Sequence, residues 1–482
     1  MNNKYRDPPP ARISCQDWHS LFREIPDSLL DEYRYYRHWG KTAWNNYLQP
    51  PSAFAVYGAR YLKRLKYDNS LAALRLWGFL LNESERLFRA RQMGSKIVAV
   101  MGDLGPLPVL VGSFPNLIPF YPDCLWWTPF LNESEVLFEA AAELGIGEDC
   151  CFVRAALGGF VKRAYFPDPD LAIAATGASC DDMAAVIQHA RWKTGIPFHH
   201  FELPLRRSGG MRLGAEPMVE INGVEAPQAA LELLKREVGE VIAKLEVAAG
   251  ERLNEAKFQE SVRQSNRLRS LIAELKRLTY TAPAAPLPAL ELMNVEFSAL
   301  TGYGDREETI AILKHLIATV QDRVKKDVGV LDPDAIPIAW VNPTADPLLL
   351  CWWEDLGGRV VATEYVIRQA LTPLSEGLSP EETIARSILQ GSLIGFSGQR
   401  AAWAVEEALN HGAEGAIITG IFASSHCGAE TWLMRDELSR KLGGPVLTFD
   451  VAGPGKADQQ AQIRTRMEAL AETLKNRRKT PR

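Results

Sequence analysis

The sequence predicts an α/β protein: two domains built on parallel sheets, joined by helices and preceded by a helical cap. Three observations carry this. Short, continuously apolar runs alternate with helix-like segments in two separate stretches, the pattern of strands buried on both faces of a parallel sheet. Between them a charged segment repeats leucine and valine at helical spacing. The chain has 482 residues, enough for two or three domains of about 150.

Residues 1–95 are polar and aromatic, with helix-like spacing and no convincing strand, and read as the N-terminal helical cap. Residues 96–225 form the first α/β domain, with runs at 97–101, 108–112, 171–176 and 198–203 as its strands. Residues 226–334 are the helical connector. Leu231, Leu234, Val238, Ile242 and Leu245 share one stripe, Leu268, Leu271, Leu275 and Leu278 another, and a Pro/Ala-rich break follows at 282–288. Residues 335–482 return to the alternating pattern, with runs at 336–341, 360–363, 416–421 and 446–449. No short-period repeat is present, but the two α/β halves are compatible with a diverged duplication.

Hydrophobic residues make up 46% and charged residues 23%, which excludes a disordered or collagen-like chain. The net charge of −5 advertises no basic face for nucleic acid. The N-terminus has no apolar core for a signal peptide, and no run of 18 or more uncharged apolar residues spans a membrane. A cytoplasmic location is expected, where thiols stay reduced. The basic tail (Lys475, Arg477, Arg478, Lys479, Arg482) reads as a solvated helix end.

Seven cysteines and twelve tryptophans stand out. Cys15 sits in the polar cap and is read as a bystander. Cys180 follows the 171–176 run through Gly177-Ala-Ser, and Cys427 follows the 416–421 run through Phe422-Ala-Ser-Ser-His. In open α/β sheets ligands bind in the crevice at the carboxyl ends of the strands. Loops leaving two such sheets can therefore bring cysteines together between the domains. No CxxC spacing occurs, which excludes a zinc ribbon or a ferredoxin-type run. A dispersed thiolate set remains open beside the plainer reading of buried core cysteines. Neighbouring Cys150 and Cys151 diverge and can serve two metal centres.

Other motifs offer less. No GxGxxG, Walker A or GxSxG sequence is present. His199-His200 lacks ligand spacing and reads as structural. His426, beside Cys427, is a candidate proton donor. Asp181-Asp182 reads as the cap of a following helix. Trp126-Trp127 and Trp352-Trp353 read as core packing, or as a dry shell around a low-potential cluster.

Cys150-Cys151-Phe-Val-Arg154, Leu157-Gly158, Pro169-Asp170 and Cys180-Asp181 resemble the signature of the 2-hydroxyacyl-CoA dehydratase and benzoyl-CoA reductase superfamily. Asn266-Arg-Leu-Arg269 resembles its helical connector. Cys427, Gly444-Pro-Val-Leu and Arg464-Thr-Arg466-Met-Glu468 resemble its C-terminal domain. The resemblance covers residues 95–475, and the order of the motifs is more specific than any one of them.

It implies two flavodoxin-like, doubly wound domains with an iron–sulfur cluster between them. It also implies electrons from a separate ATP-hydrolysing activator, a homodimer with its own 4Fe–4S cluster. Cys150, Cys180 and Cys427 match the common cysteine pattern. Cys151 stands where the family has serine, and Cys124 and Cys351 are additional. Six thiolates are similar to the double-cubane branch, which implies one 8Fe–9S cluster per chain. The Pro-Glu stretch of acyl-CoA members is poorly matched near Cys124, which weakens the implication of an acyl-CoA substrate.

The expected function is thus the catalytic, electron-accepting component of an ATP-driven reductase acting on a small molecule. Cys124, Cys150, Cys151, Cys180, Cys351 and Cys427 would ligate the cluster, with His426 as proton donor and Arg154 orienting the cluster or an anion. The alternative is a subunit of a 2-hydroxyacyl-CoA dehydratase or benzoyl-CoA reductase with one 4Fe–4S cluster. A non-catalytic electron-transfer partner is a third. A homodimer, or a heterodimer with a homologous subunit, is expected, with neither nucleic acid nor membrane as partner.

Overall fold

The computed structural model describes residues 5–31, 48, 62–122, 135–207, 214–344, 346–451 and 457–479. Cys124, Trp126 and Trp127 lie outside the described residues, as do the side chains of His426 and Cys427.

In the cap, β1 (Arg12–Ser14) pairs antiparallel with β2 (Lys66–Asp68). This pair corrects the expectation of a strandless cap: three residues per strand are too few to show alternation. Helices Cys15–Phe22, Asp27–Asp31, Leu71–Leu81 and Glu83–Gln92 complete the described cap. The first sheet comprises β3 (Lys96–Val100), β4 (Leu117–Phe120), β5 (Leu171–Gly177) and β6 (Phe198–Leu203). All are parallel, in the spatial order β4-β3-β5-β6. A short hairpin, β7 (Met218–Ile221) and β8 (Val224–Pro227), leads into the connector.

The second sheet comprises β9 (Ile336–Val341), β10 (Gly358–Glu364), β11 (Gly415–Ile421) and β12 (Val446–Val451). It is parallel too, in the order β10-β9-β11-β12. Both sheets therefore wind second-first-third-fourth in chain order, which is the flavodoxin-like order and supports the duplication. The central strands form because their residues are apolar on both faces: every residue of β11 is buried.

One expected strand is a helix. The 108–112 run forms the core of helix Leu107–Val111, entered through Pro106 and Pro108. A five-residue apolar run with both faces buried does not distinguish the two states by periodicity, and proline suits a first helical turn. The strand that pairs with β3 is instead β4, which tolerates Pro119 because it lies at the sheet edge.

The connector is two long helices, Gln228–Ala249 and Glu255–Thr281. Gly250, at φ +73°, ends the first, and Asn254 caps the second by accepting the Lys257 N–H at 3.0 Å. Leu231, Leu234, Val238 and Leu245 are at most 2% exposed, each contributing roughly 1.5–3 kcal/mol of burial. Ile242 and Leu278 are only partly buried, and Val241 takes a core place. The 266–269 motif clamps the second domain. Asn266 donates to the Leu374 carbonyl at 3.0 Å and accepts its N–H at 2.8 Å, and Arg269 donates to the Thr372 carbonyl. One continuous apolar core runs from the cap through both sheets.

Candidate functional site

The carboxyl ends of both sheets open on one cavity of about 750 Å³ of empty volume, counting its mouth. Gly102 and Asp103 reach it from the turn after β3, and Cys180 from the turn after β5. Pro343 arrives after β9, Tyr365 and Val366 after β10, and Ser424 after β11. The cavity therefore sits where each sheet reverses its winding, at two switch points facing one another. Cys151, Phe152 and Val153 form one wall; Phe297 and Leu300, from helix Ala289–Thr301, form another.

Three cysteine-bearing segments end here, each at the start of a helix. Cys180 occupies the N-cap position of helix Asp181–Thr194. Cys427 falls in the first turn of helix Ser425–Leu442, the equivalent place after β11. Cys150 and Cys151 precede helix Arg154–Lys162. Helix N-termini favour negative charge, so they favour thiolates. Cys150, Cys151 and Cys180 are all buried. Hydrogen bonds with the thiols of Cys150 and then Cys180, followed by burial, push the Cys151 thiol well above its ordinary value. The three thiols are therefore within reach of one another, and a metal taking them displaces protons.

The turns that build the cavity are strained. Asn342, Val366 and Ala423 have φ of +67°, +56° and +61°. They follow β9, β10 and β11, and they are three of seven positive-φ non-glycine residues among those described. For the β-branched Val366 this conformation is costly, and such strain gathers at functional sites. Gly177, at φ +84°, leaves room for β6: a Cβ there would lie 2.4 Å from the Leu203 carbonyl oxygen.

Asp103 is the one carboxylate among the described lining residues, and no sequence motif marks it. It accepts the Ser179 hydroxyl, and the Cys180 N–H also bonds to it. Burial pushes its carboxyl up to about 6, against the lowering effect of those bonds. Its Oδ1 has no partner, and neither does the buried Tyr365 hydroxyl. Position just beyond a strand's carboxyl end is the signal that would have found both.

Arg154 does not face the cavity. It donates to the carbonyls of Cys150 and Cys151, the latter at 3.2 Å, and lies 4.6 Å above the Phe138 ring. It orders the cysteine loop. Asp181 and Asp182 stand in the first turn of their helix, not at the cap; that position belongs to Cys180. His199 is buried in β6, and His200 bonds Gln188 at 2.9 Å, both structural.

Cys351 is set apart from the other thiols. It lies in helix Leu348–Asp355, against the cap, where its Sγ receives the Lys66 N–H at 3.5 Å and its carbonyl accepts Arg12 at 2.8 Å. Burial pushes its thiol up to about 12.

The pattern of the family described as 2-hydroxyglutaryl-CoA dehydratase, D-component, matches residues 122–474, most of the chain. The chain belongs to that family. No curated protein matches it. Membership makes it an enzyme component of a dehydratase or reductase system whose members bind iron–sulfur clusters. The cap precedes the matched region. No described helix is long and apolar enough to cross a membrane.

The residues fit such a cluster. Among those described, no three His, Cys, Asp or Glu are grouped to hold a single metal ion. A polynuclear cluster instead takes one thiolate per iron and spreads its ligands around its own volume. Converging thiols in an apolar cavity are that donor set.

Proposed function

We propose that this chain is the iron–sulfur, electron-accepting component of an ATP-driven dehydratase or reductase, with its cluster in the cavity between the two sheets. One observation carries the reading: Cys151 and Cys180 line the cavity, and the turn after β11 that matches the turn to Cys180 reaches it at Ser424, three residues before Cys427. Electrons would come from a separate ATP-hydrolysing activator, and a small molecule would be reduced or dehydrated beside the cluster. When bound, the cluster supplies one-electron reduction. The protein's part is to hold the thiolates at three helix N-termini, to fix the 150–151 loop through Arg154, and to keep water out with apolar walls.

The placement of Cys351 supports a four-iron cluster held by Cys151, Cys180 and Cys427. Its sulfur is taken up by Lys66 and faces the cap. Cys150 then supports Cys151 through their mutual hydrogen bond. The eight-iron double cubane has one feature in its favour, the adjacency of Cys150 to Cys151. Iron and sulfide per chain, measured anaerobically together with electron paramagnetic resonance of the reduced protein, test both. About four irons support the first reading and about eight the second. A chain purified anaerobically without iron refutes the proposal.

A further inference from the structure

We infer that Arg400 is the positioning residue of the second domain's half of the site: it locks the turns after β9 and β10 to the helix that carries Cys427, and through Glu430 it bears on that cysteine. The inference rests on the proposed cluster lying in the cavity. Arg400 stands in helix Ser397–Asn410, is fully buried, and is not among the described residues that line the cavity. It therefore acts through its partners. Its guanidinium donates to Asn342 Oδ1 in the turn after β9 and to Glu430 Oε2 in helix Ser425–Leu442. Its Nε donates to Glu364 Oε2, at the end of β10, at 2.6 Å. Each partner leads to the rim. Asn342 precedes Pro343, and Glu364 precedes Tyr365 and Val366, all three of which line the cavity. Glu364 Oε1 accepts the Val366 N–H at 3.2 Å and the Ser392 hydroxyl at 3.0 Å. Glu430 is held from its other oxygen by the Ser397 hydroxyl at 2.8 Å. It lies one helical turn beyond Cys427, about 4.5 Å along the axis, and residues three apart are neighbours on a helix surface.

A buried cation with two carboxylates is costly to desolvate and adds little stability over apolar packing, so its use here is a fixed geometry. That geometry is strained. Asn342 and Val366 hold φ of +67° and +56°, conformations that persist only where the surroundings over-determine them. The first domain makes the same tie by other means. There Asp103, after β3, bonds the Ser179 hydroxyl and the Cys180 N–H after β5. In the second domain Asn342, after β9, is tied through Arg400 to Glu430, after β11. Each sheet thus binds the turn after its first strand to the cysteine-bearing segment after its third.

The test uses anaerobically purified, iron-loaded protein, with Arg323→Lys as the control. Arg323 is also buried, in helix Arg306–Lys325, and is ion-paired to Asp68 of the cap. Arg400→Lys and Arg323→Lys each keep the charge and lose the planar fork, so both should lower Tm. Only Arg400→Lys should speed iron loss to a chelator, by about tenfold or more. Glu430→Gln keeps the shape and removes one negative charge beside Cys427. The reduced-to-oxidised ratio at a fixed potential should then rise about tenfold, an upward shift of about 59 mV for one electron, read by redox titration with electron paramagnetic resonance. Equal iron loss from the two lysine variants, or an unchanged or lowered potential in Glu430→Gln, overturns the inference. Where Arg400→Lys does not fold, the Glu430→Gln potential alone decides. A wild-type chain that binds no iron overturns the functional reading as well, so wild-type iron content tells the two failures apart.

Discussion

Glu291→Gln should stabilise the protein in a pH-dependent way. Glu291 is fully buried in helix Ala289–Thr301, where the cap meets the core. Its Oε1 accepts the Asp68 N–H at 3.0 Å and the Trp77 indole N–H at 3.0 Å, while Oε2 has no partner. Burial first, then the neighbouring Asp68, pushes its carboxyl from 4.5 up to about 8. The folded chain thus holds a proton that the unfolded chain releases above 4.5. This contribution is fully present below 4.5 and is lost as pH rises through 8. At pH 7 it amounts to roughly 3 kcal/mol of lost stability. Glutamine keeps both accepted bonds, and its NH2 is as unpartnered as the acid O–H it replaces. Urea unfolding followed by tryptophan fluorescence, from pH 5 to 8.5, measures the difference. The variant's advantage should grow by about 1.4 kcal/mol per pH unit and level off above 8. A constant difference across that range, or a wild-type advantage growing with pH, refutes the reasoning.

Further predictions follow from packing and from the cysteine loop. Gly158→Ala places a Cβ 2.1 Å from the Leu137 carbonyl oxygen, which is backbone and cannot yield like a side chain. The helices Glu135–Glu143 and Arg154–Lys162 must separate, at a cost of about 1–3 kcal/mol or more, read as a lowered Tm. Arg154→Lys keeps a positive charge but loses the planar guanidinium that lies over Phe138 while its Nη1 bonds both carbonyls, so it should cost about 1–3 kcal/mol and raise iron loss to chelators. With its thiol at about 12, Cys351 should be roughly one part in ten thousand thiolate at pH 8. Iodoacetamide should therefore leave it unlabelled in the folded protein and label it once urea is added.

The fold was legible where burial on both faces made strands continuously apolar, as in β3, β5, β9 and β11. It was not legible at β4, where Pro119 interrupts an edge strand, nor in the 107–111 helix, whose run is too short to show a period. The site was legible through its cysteines because turns at the carboxyl ends of parallel strands are where ligands collect. Counting thiols was less informative: Cys351 follows a strand in sequence, but its helix turns the sulfur toward Lys66. Asp103 and Tyr365 left no trace in any motif. They lie on two turns that meet only in three dimensions.

Iron bound per chain in a panel of single cysteine variants, purified anaerobically, tests the central claim most directly. With the cluster in the cavity between the sheets, Cys151→Ala, Cys180→Ala and Cys427→Ala should each lose most of their iron, while Cys351→Ala retains the wild-type content of about four. Loss of iron in Cys351→Ala, or full iron in Cys180→Ala and Cys427→Ala, would contradict the account.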